Sequence, residues 1–325
     1  MALEDLAATA WSQLQSTRLG AERIQVLKKR PRSTVFRLEG AGPGGVPVIA
    51  KRARRAQALT ERILYEQVLP ALPMPSLTCY GFVEEPAGEF AWLFIGYASG
   101  RPYSAALREH TVLAARWLSL LHIAGAAVPA AARLPGRGPG YYSAHLASAL
   151  RNLRLHLGNP VFTQEDVAVL QAVLSHCEML VGHWAEVERQ CQALPSTLVH
   201  GDFAPKNLRV RDSRAEPVLE PFDWGSAGWG TPALDLAQAA QPLGAWNDWA
   251  SPDLDVYGAA VRDAWPRLDR HDLEVCAALG KAFRCLYCIG RESAYLGEAW
   301  VEKPLANMRL YRSGLAHALQ VAGWS

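Results

Sequence analysis

The chain has 325 residues, of which half are hydrophobic and a fifth are charged, with a formal net charge of +2. This composition excludes wholesale disorder, allows about two lobes with a sizeable core, and lacks the strong basic character that a nucleic-acid partner calls for. The N-terminus carries acids and no basic region, so a secretion signal is not expected, and the longest apolar run is short for a membrane span. Six cysteines in so long a chain are weak evidence for disulfides. We therefore expect a soluble, reduced, cytoplasmic protein with no membrane partner.

The first hundred residues combine strand-like and helical patterns. An amphipathic opening helix precedes three strand-like runs, RIQVLKK, TVFRLEG and VPVIAKRA, and the turn GAGPGG between the last two predicts a hairpin. A helix is predicted over AQALTERILYEQVLPAL, because Leu59, Ile63 and Leu69 follow helical spacing and Pro70 marks its end. Two more strand-like runs follow, SLTCYGFVEE and EFAWLFIGY.

From about residue 104 the sequence is mostly helical. The run HTVLAARWLSLLHIAG is apolar nearly all round and predicts a central buried helix, in which His122 is a core residue. Further helices are predicted at AHLASALRNLRLHL and over residues 163–192, and the brief β-like runs STLVH, NLRVR and PVLEPFD interrupt them. The predicted fold class is α+β, with a small β-rich lobe over residues 1–97 and a large helical lobe over residues 98–325.

Two polar turns between the brief β-like runs carry the chemistry. In LVHGDFAPKNLRV, Asp202 is followed five residues later by Asn207, and PFDWGSAGWG places Asp223 at the end of the next strand. Asp202 can accept the proton of an acceptor hydroxyl, while the oxygens of Asn207 and Asp223 suit Mg²⁺, which completes its shell with water and phosphate. The pattern predicts a phosphoryl-transfer site.

Phosphoryl transfer also needs a cation on the phosphates. The run VIAK places Lys51 at the end of an apolar strand, and the following helix carries Glu61 and Glu66. A partly buried lysine that reaches phosphate needs a carboxylate to hold it. Glu66 is favoured as this partner because it sits deeper in the helix, and Glu61 is the alternative.

Together these motifs resemble the aminoglycoside phosphotransferase and choline kinase superfamily. Its pattern is an H-G-D-x-x-x-x-N loop, a later Asp-containing metal motif and a G-x-P-x-x-D-L motif, found here at 200–207, 223–225 and 230–236. The resemblance implies a protein-kinase-like two-lobed fold, with an N-terminal antiparallel sheet and one key helix. It also implies Mg²⁺-dependent phosphorylation of a small-molecule hydroxyl by ATP or GTP.

The resemblance further assigns roles to single residues. Asp202 matches the catalytic base, His200 matches a residue that orients the loop by hydrogen bonding, and Asp235 matches the acid that braces it. Lys51 and Glu66 match the ion pair that anchors the phosphates. Asn207 and Asp223 match the ligands of Mg²⁺.

The segments that the resemblance assigns to nucleotide binding are the hinge and the loop over the phosphates. The stretch FIGYASG resembles the hinge between the lobes, where backbone groups near Gly96 and Ala98 would meet the purine and Ile95 would border its pocket. The stretch KKRPRSTVFRL lacks the glycine-rich loop of protein kinases. Ser33 and Thr34 either bind phosphate there, with an arginine nearby, or supply ordinary turn polarity.

The sequence leaves more than one chemical class of acceptor open. The acids of WNDWASPDLDVYG would attract the amines of an aminoglycoside-like acceptor, and its aromatic faces would suit a quaternary ammonium such as choline. Both sets equally suit helix caps and core: Asp248, Asp253, Asp255, Trp246, Trp249 and Tyr257. Sugars, amino alcohols and short peptides are further alternatives. The helical run RCLYCIGRESAYLGEAW is expected to pack against the acceptor cleft, with Tyr287, Arg291 or Glu292 reaching it. Its two cysteines share one helix face and do not predict a metal site.

Three further alternatives stay open at this stage. Lys206 either neutralises the transferred phosphate or points to solvent. A catalytically silent nucleotide-binding regulatory protein of the same fold is the main rival function, and a protein kinase is disfavoured because no Ala-Pro-Glu-type motif follows. The expected partners are a nucleotide and a small acceptor, in a monomer or a homodimer.

Overall fold

The N-terminal part of the molecule is a five-stranded antiparallel sheet with the order β1-β2-β3-β5-β4. The computed structural model describes residues 2–14, 20–214, 216–239, 249–298 and 300–324. The strands of this sheet are β1 (Arg23–Arg30), β2 (Ser33–Glu39), β3 (Val48–Arg54), β4 (Cys79–Glu84) and β5 (Phe90–Gly96).

The two faces of the sheet are covered by different helices. Burial alternates along β2, so that Phe36 and Leu38 face the core, as the period of two in a half-buried strand requires. Helix α1 (Leu3–Leu14) covers this face, and its Trp11 ring lies 5.3 Å from that of Phe94. Helix α2 (Arg55–Ile63) follows β3 directly and contacts β3 and β5.

The C-terminal part is mainly helical, as the sequence predicts. Helix α8 is its centre, buried over most of its length and packed against α4, α7 and α9. The 163–192 segment forms two helices that meet at His183, and Thr163 and Asp166 form a capping box at the start of the first. The helices are α3 (Arg108–Gly125), α4 (Pro139–His156), α5 (Gln164–Gly182), α6 (Trp184–Gln192), α7 (Leu254–Val261), α8 (Arg270–Glu292) and α9 (Glu302–Val321).

Short strands hold the two polar turns in place. One three-stranded sheet has the order β10-β9-β6 and the other has the order β7-β11-β8. The strands are β6 (Arg101–Pro102), β7 (Gly136–Arg137), β8 (Thr197–Val199), β9 (Leu208–Arg211), β10 (Val218–Pro221) and β11 (Gly228–Gly230). The first polar turn joins β8 to β9, and the second joins β10 to β11.

The predicted α+β, two-lobed fold is confirmed. The proposed lobe boundary falls directly after β5, and the division at residues 97 and 98 stays a prediction. Across the part of the chain that the structure describes, no helix combines the length and the apolar character that crossing a bilayer requires.

Candidate active site

The loop that carries Asp202 is fixed at its start by one buried carboxylate. Asp235 accepts hydrogen bonds from the backbone N–H groups of His200, at 2.7 Å, and Gly201, at 2.9 Å. Gly201 has a φ of 74°, and a Cβ on it would lie 2.4 Å from the carbonyl oxygen of Ser226. Only glycine fits this position without displacing the loop.

His200 joins the two polar turns. Its Nδ1 accepts the backbone N–H of Asp202 at 3.3 Å, and its Nε2 donates to the carbonyl oxygen of Phe222 at 3.2 Å. Burial lowers the pKa of His200 and outweighs the surrounding carboxylates. A neutral ring with both nitrogens engaged is suited to orienting the loop, not to transferring a proton.

Three donors surround the Asp202 carboxylate. Arg284 lies 2.5 Å from Oδ1, while Lys206, at 3.1 Å, and the amide nitrogen of Asn207, at 2.8 Å, contact Oδ2. Burial would raise the pKa of Asp202, but Arg284 and Lys206 lower it to about 2. The carboxylate is therefore ionised at neutral pH and can accept a hydrogen bond from a hydroxyl group.

Asn207 and Asp223 come together because β9 pairs with β10. The pairing of Leu208 with Pro221 brings the next residues into register, and the N–H of Phe222 donates to the carbonyl oxygen of Asn207 at 3.0 Å. The Asn207 amide nitrogen is held by Asp202, which leaves the amide oxygen as the atom that could bind a cation.

These two side chains fit a magnesium ion. Asp223 adopts a left-handed backbone conformation with a φ of 62° and adds a charged oxygen beside the neutral amide oxygen of Asn207. Mg²⁺ prefers few protein oxygens and takes the rest of its ligands from water and phosphate. Within the described residues no group of three or more His, Cys, Asp and Glu side chains is arranged for a metal.

Lys51 is buried between two carboxylates. Its Nζ lies 2.6 Å from Oε1 of Glu61 and 2.6 Å from Oδ1 of Asp223. Burial opposes the charge, but Glu61 and Asp223 together raise the pKa of Lys51. The ammonium group is therefore held charged beside the proposed magnesium ligands.

The prediction that Glu66 pairs with Lys51 is wrong. Glu66 instead contacts Arg62 at 2.9 Å on the exposed side. Residues five apart on a helix point about 140° away from each other, so only one of the two glutamates can face the sheet. Ala58 and Glu61 share the buried face of α2, which then widens into a π-helical turn at Leu64–Val68.

The hairpin between β1 and β2 carries the predicted phosphate-binding hydroxyls. Ser33 begins β2 after a turn at Pro31 and Arg32, and the buried Thr34 lies opposite Arg52, the neighbour of Lys51. Lys28 on the same hairpin lies 3.8 Å from Asp223. Lys28 thus brings a cation next to the site. Thr34, however, is buried on the sheet face of Phe36 and Leu38, opposite to that of Lys51, so the structure does not support a phosphate-binding hydroxyl at this position, and phosphate contact by Ser33 stays a prediction.

The predicted hinge follows β5. Ile95 is buried, Gly96 ends the strand, and Ala98 is buried just beyond it. The N–H of Gly96 donates to the carbonyl oxygen of Thr78 at 2.8 Å and is therefore engaged within the protein. Purine contact by this segment stays a prediction.

A cavity of about 990 Å³ opens beside Asp202 and Asp223. Helix α2 and the β1–β2 hairpin line one part of it, and α4 and α8 line another. Tyr287, Arg291 and Glu292, from the segment predicted to pack against the acceptor cleft, all line this cavity, and its role as the acceptor cleft stays a prediction.

The acids and aromatics after residue 248 do not line this cavity. Asp253 caps α7, Asp255 pairs with Arg270, and the buried Tyr257 bonds to His122 at 2.9 Å. Trp249 is buried with the Lys281 ammonium over its ring. For these residues the cap-and-core interpretation is correct, whereas Asp248 and Trp246 lie outside the described residues.

Sequence reasoning missed three cations of the site. Arg284, Arg137 and Lys28 contact Asp202, the second polar turn and Asp223, respectively. For Arg284 a signal existed, because it stands three and seven residues before Tyr287 and Arg291 on one face of a buried helix. Arg137 and Lys28 reach the site only through tertiary structure.

Comparisons with known proteins place this geometry in a family. A model of the phosphotransferase enzyme family matches residues 24–273. A search of curated protein sequences found no significant match.

Solved structures share the fold. Spectinomycin phosphotransferase, solved with ADP and spectinomycin, has a TM-score of 0.62 and 9% identity, over 98% of this chain and 97% of its own. Choline kinase from Cryptosporidium parvum has a TM-score of 0.57 and 10% identity, over 99% and 94%. A GDP and kanamycin complex of the phosphotransferase APH(2″)-IIIa has a TM-score of 0.60 and 13% identity, over 94% and 98%. Because the family match spans well over half of its length, the chain belongs to the phosphotransferase enzyme family.

Proposed function

We propose that the chain is a small-molecule kinase that transfers the γ-phosphoryl group of ATP or GTP to a hydroxyl group. The observation that carries this proposal is that Asp202 and Asp223 line one cavity and that Lys51 binds the Asp223 carboxylate. Phosphoryl transfer requires a positioned hydroxyl and compensation of phosphate charge more than covalent help from the protein. These side chains meet both requirements.

At the donor end, Lys51 contacts the nucleotide phosphates while Glu61 holds it in place. Asn207 and Asp223 hold Mg²⁺, which when bound neutralises charge on the phosphate oxygens. The β1–β2 hairpin covers the phosphates with Ser33, and Arg32 at its tip lines the cavity beside them. The segment from Ile95 through Gly96 to Ala98 borders the purine.

At the acceptor end, the hydroxyl donates a hydrogen bond to Asp202. The hydroxyl oxygen forms a bond to the γ-phosphorus as the bond to the nucleoside diphosphate breaks, and the hydroxyl proton passes to Asp202. Because the pKa of Asp202 is about 2, the proton moves late and the carboxylate mainly orients the hydroxyl. Arg284 and Lys206 hold the carboxylate in this position.

Two substitutions test these roles. Asp202→Asn should lower nucleoside diphosphate release with an acceptor by about 10²–10⁴-fold and leave calorimetric binding of Mg–nucleotide unchanged. Asp223→Asn should weaken that binding, while the exposed Asp255→Asn, away from the cavity, should change neither quantity. Full turnover by Asp202→Asn would contradict the proposal that Asp202 accepts the hydroxyl proton. Nucleotide binding without turnover across a broad acceptor panel would favour the silent regulatory protein.

A further inference from the structure

The cavity next to Asp202 has a positive charge balance. Three carboxylates line it: Asp202, Asp223 and Glu292. Five cations line it: Arg32, Arg137, Lys206, Arg284 and Arg291. A cleft with an excess of one sign concentrates ligands of the other sign.

Three of the five cations have a place in the proposed transfer. Arg284 and Lys206 contact Asp202 directly, and Arg32 lies at the tip of the β1–β2 hairpin beside the donor phosphates. Arg137 and Arg291 are not explained by the donor. Within the described residues, neither guanidinium group lies within ion-pair distance of a carboxylate.

Each of these two arginines lies over the ring of a tyrosine. The Arg137 guanidinium lies 4.6 Å from the centre of the Tyr141 ring, and that of Arg291 lies 5.2 Å from the centre of the Tyr287 ring. The two tyrosine rings stack with centroids 6.4 Å apart and an interplanar angle of 26°. All four side chains line the same cavity, and we call them the arginine–tyrosine stack.

The stack is anchored close to the catalytic loop. Arg137 Nε donates to the carbonyl oxygen of Ser226 at 2.9 Å, and that carbonyl packs against Gly201. Arg291 follows Arg284 by seven residues on α8, which separates their Cα positions by about 10 Å along the helix. Since Arg284 contacts Asp202, a ligand that reaches both ends is a small molecule.

The remaining carboxylate of the cavity is already engaged. Oε2 of Glu292 accepts from Asn307 at 2.6 Å, and Oε1 accepts from the Tyr311 hydroxyl at 2.8 Å. An amine-rich acceptor would therefore meet two guanidinium groups and a carboxylate whose oxygens are both occupied. A carboxylate or phosphate would meet two planar donor forks that match its oxygens.

Resting on the kinase function proposed above, we infer that the acceptor is an anion. It is a small hydroxyl compound whose carboxylate or phosphate group binds Arg137 and Arg291 while its hydroxyl faces Asp202. The tyrosine rings add a flat apolar wall beside the anionic group. This chemistry differs from that of polyamine and quaternary ammonium acceptors, which the cavity disfavours by charge.

A charge series on one sugar skeleton tests the inference without requiring turnover. Glucosamine, glucose, glucuronate and glucose 1-phosphate are titrated by calorimetry into the full chain, saturated with Mg²⁺ and a non-hydrolysable ATP analogue that fills the donor site. We expect at least one anion to bind about tenfold or more tightly than glucose, and glucosamine to bind most weakly. Comparison of glucuronate with glucose 1-phosphate separates carboxylate from phosphate recognition.

Variants of the two arginines complete the test. Arg291→Gln should weaken the preference for anions and keep Mg–nucleotide affinity, which also shows that it folds. The double variant Arg137→Gln/Arg291→Gln should lose the preference. Arg312→Gln, an exposed charge removal on α9, should keep the preference. Undetectable anion binding, equal or tighter binding of glucosamine, or an unchanged preference in the double variant would overturn the inference. Failure of the kinase proposal is separate, because it appears as absent Mg–nucleotide binding before any sugar is added, or as absent nucleoside diphosphate release with every acceptor, whereas the charge preference is measured by binding alone.

Discussion

The guanidinium group of Arg284 lies 2.5 Å from Oδ1 of Asp202 and joins the Asp202 loop to α8, a helix that is buried over most of its length. The position and charge of the carboxylate therefore depend on how α8 packs. Because α8 also carries Tyr287 and Arg291, one helix contacts the proposed catalytic carboxylate and lines the proposed acceptor site.

Removal of Arg284 should raise the pKa of Asp202. Burial favours the protonated carboxyl group, and Arg284 is the largest influence that opposes it. With the native pKa of about 2, Asp202 should stay ionised from pH 5 to 8 and add no acid limb to the rate profile in that range. In Arg284→Met the activity should fall at a higher pH than in the native protein, measured as kcat/KM against pH.

Lys206→Met provides the matched comparison. Lys206 also contacts Asp202, but it is more than half exposed and lies at the longer distance of 3.1 Å. Removal of Lys206 should shift the acid limb of the kcat/KM profile by fewer pH units than removal of Arg284 does. An equal or larger shift for Lys206→Met would contradict the assignment of Arg284 as the main charge partner.

Local sequence was sufficient for the residues of the two polar turns. Asp202, Asn207 and Asp223 stand at fixed offsets in short turns between strands, and the β9–β10 pairing brings the turns together. The sequence also predicted that Asp235 braces the Asp202 loop, and its carboxylate accepts hydrogen bonds from two backbone N–H groups at the start of that loop. Alternating and helical hydrophobic patterns gave the strands and helices around them.

Residues that depend on helix rotation or distant packing could not be predicted in this way. The choice between Glu61 and Glu66 turns on a rotation of about 140°, which sequence spacing alone does not fix. Arg137 approaches the site because β7 pairs with β11, a contact between strands far apart in the chain. The basic character of the cavity therefore became visible only in the folded structure.

The two glutamates of the α2 region should respond very differently to neutralisation. Glu61→Gln removes a buried partner of Lys51 and should lower the free energy of unfolding by about 3 kcal/mol, with a raised KM for nucleotide. Glu66→Gln removes a partly exposed contact with Arg62 and should change stability by about 0.5 kcal/mol or less. Urea unfolding and nucleotide titration measure both effects, and equal losses would contradict the pairing.

A close approach of α8 to the bracing segment predicts a glycine requirement. A Cβ on Gly280 would lie 1.8 Å from the carbonyl oxygen of Ala233, two residues before Asp235. Gly280→Ala should lower the free energy of unfolding by about 1–3 kcal/mol and reduce kcat, because the segment that holds the catalytic loop must move. Gly182→Ala, at an exposed helical site with open space, should instead be stabilising by about 0.5–1 kcal/mol. Similar losses of unfolding free energy in both variants would contradict the requirement for glycine at position 280.

The neutral state of His200 predicts a pH dependence of stability. Burial lowers the pKa of native His200 even though Asp235, Asp202 and Asp223 oppose this effect, whereas the unfolded chain binds a proton with a pKa of about 6.5. The unfolded state therefore holds more protons below that pH, so this contribution to stability is complete above about pH 6.5 and is lost as the pH falls. In His200→Gln, urea unfolding without metal or nucleotide should show a smaller rise in unfolding free energy between pH 5 and 7. The difference in slope should be at most about 1.4 kcal/mol per pH unit, the value for one proton. Identical slopes for the two proteins would mean that His200 is protonated to the same extent in the folded and unfolded states, and its Nδ1 could then not accept the N–H of Asp202 when the ring is charged.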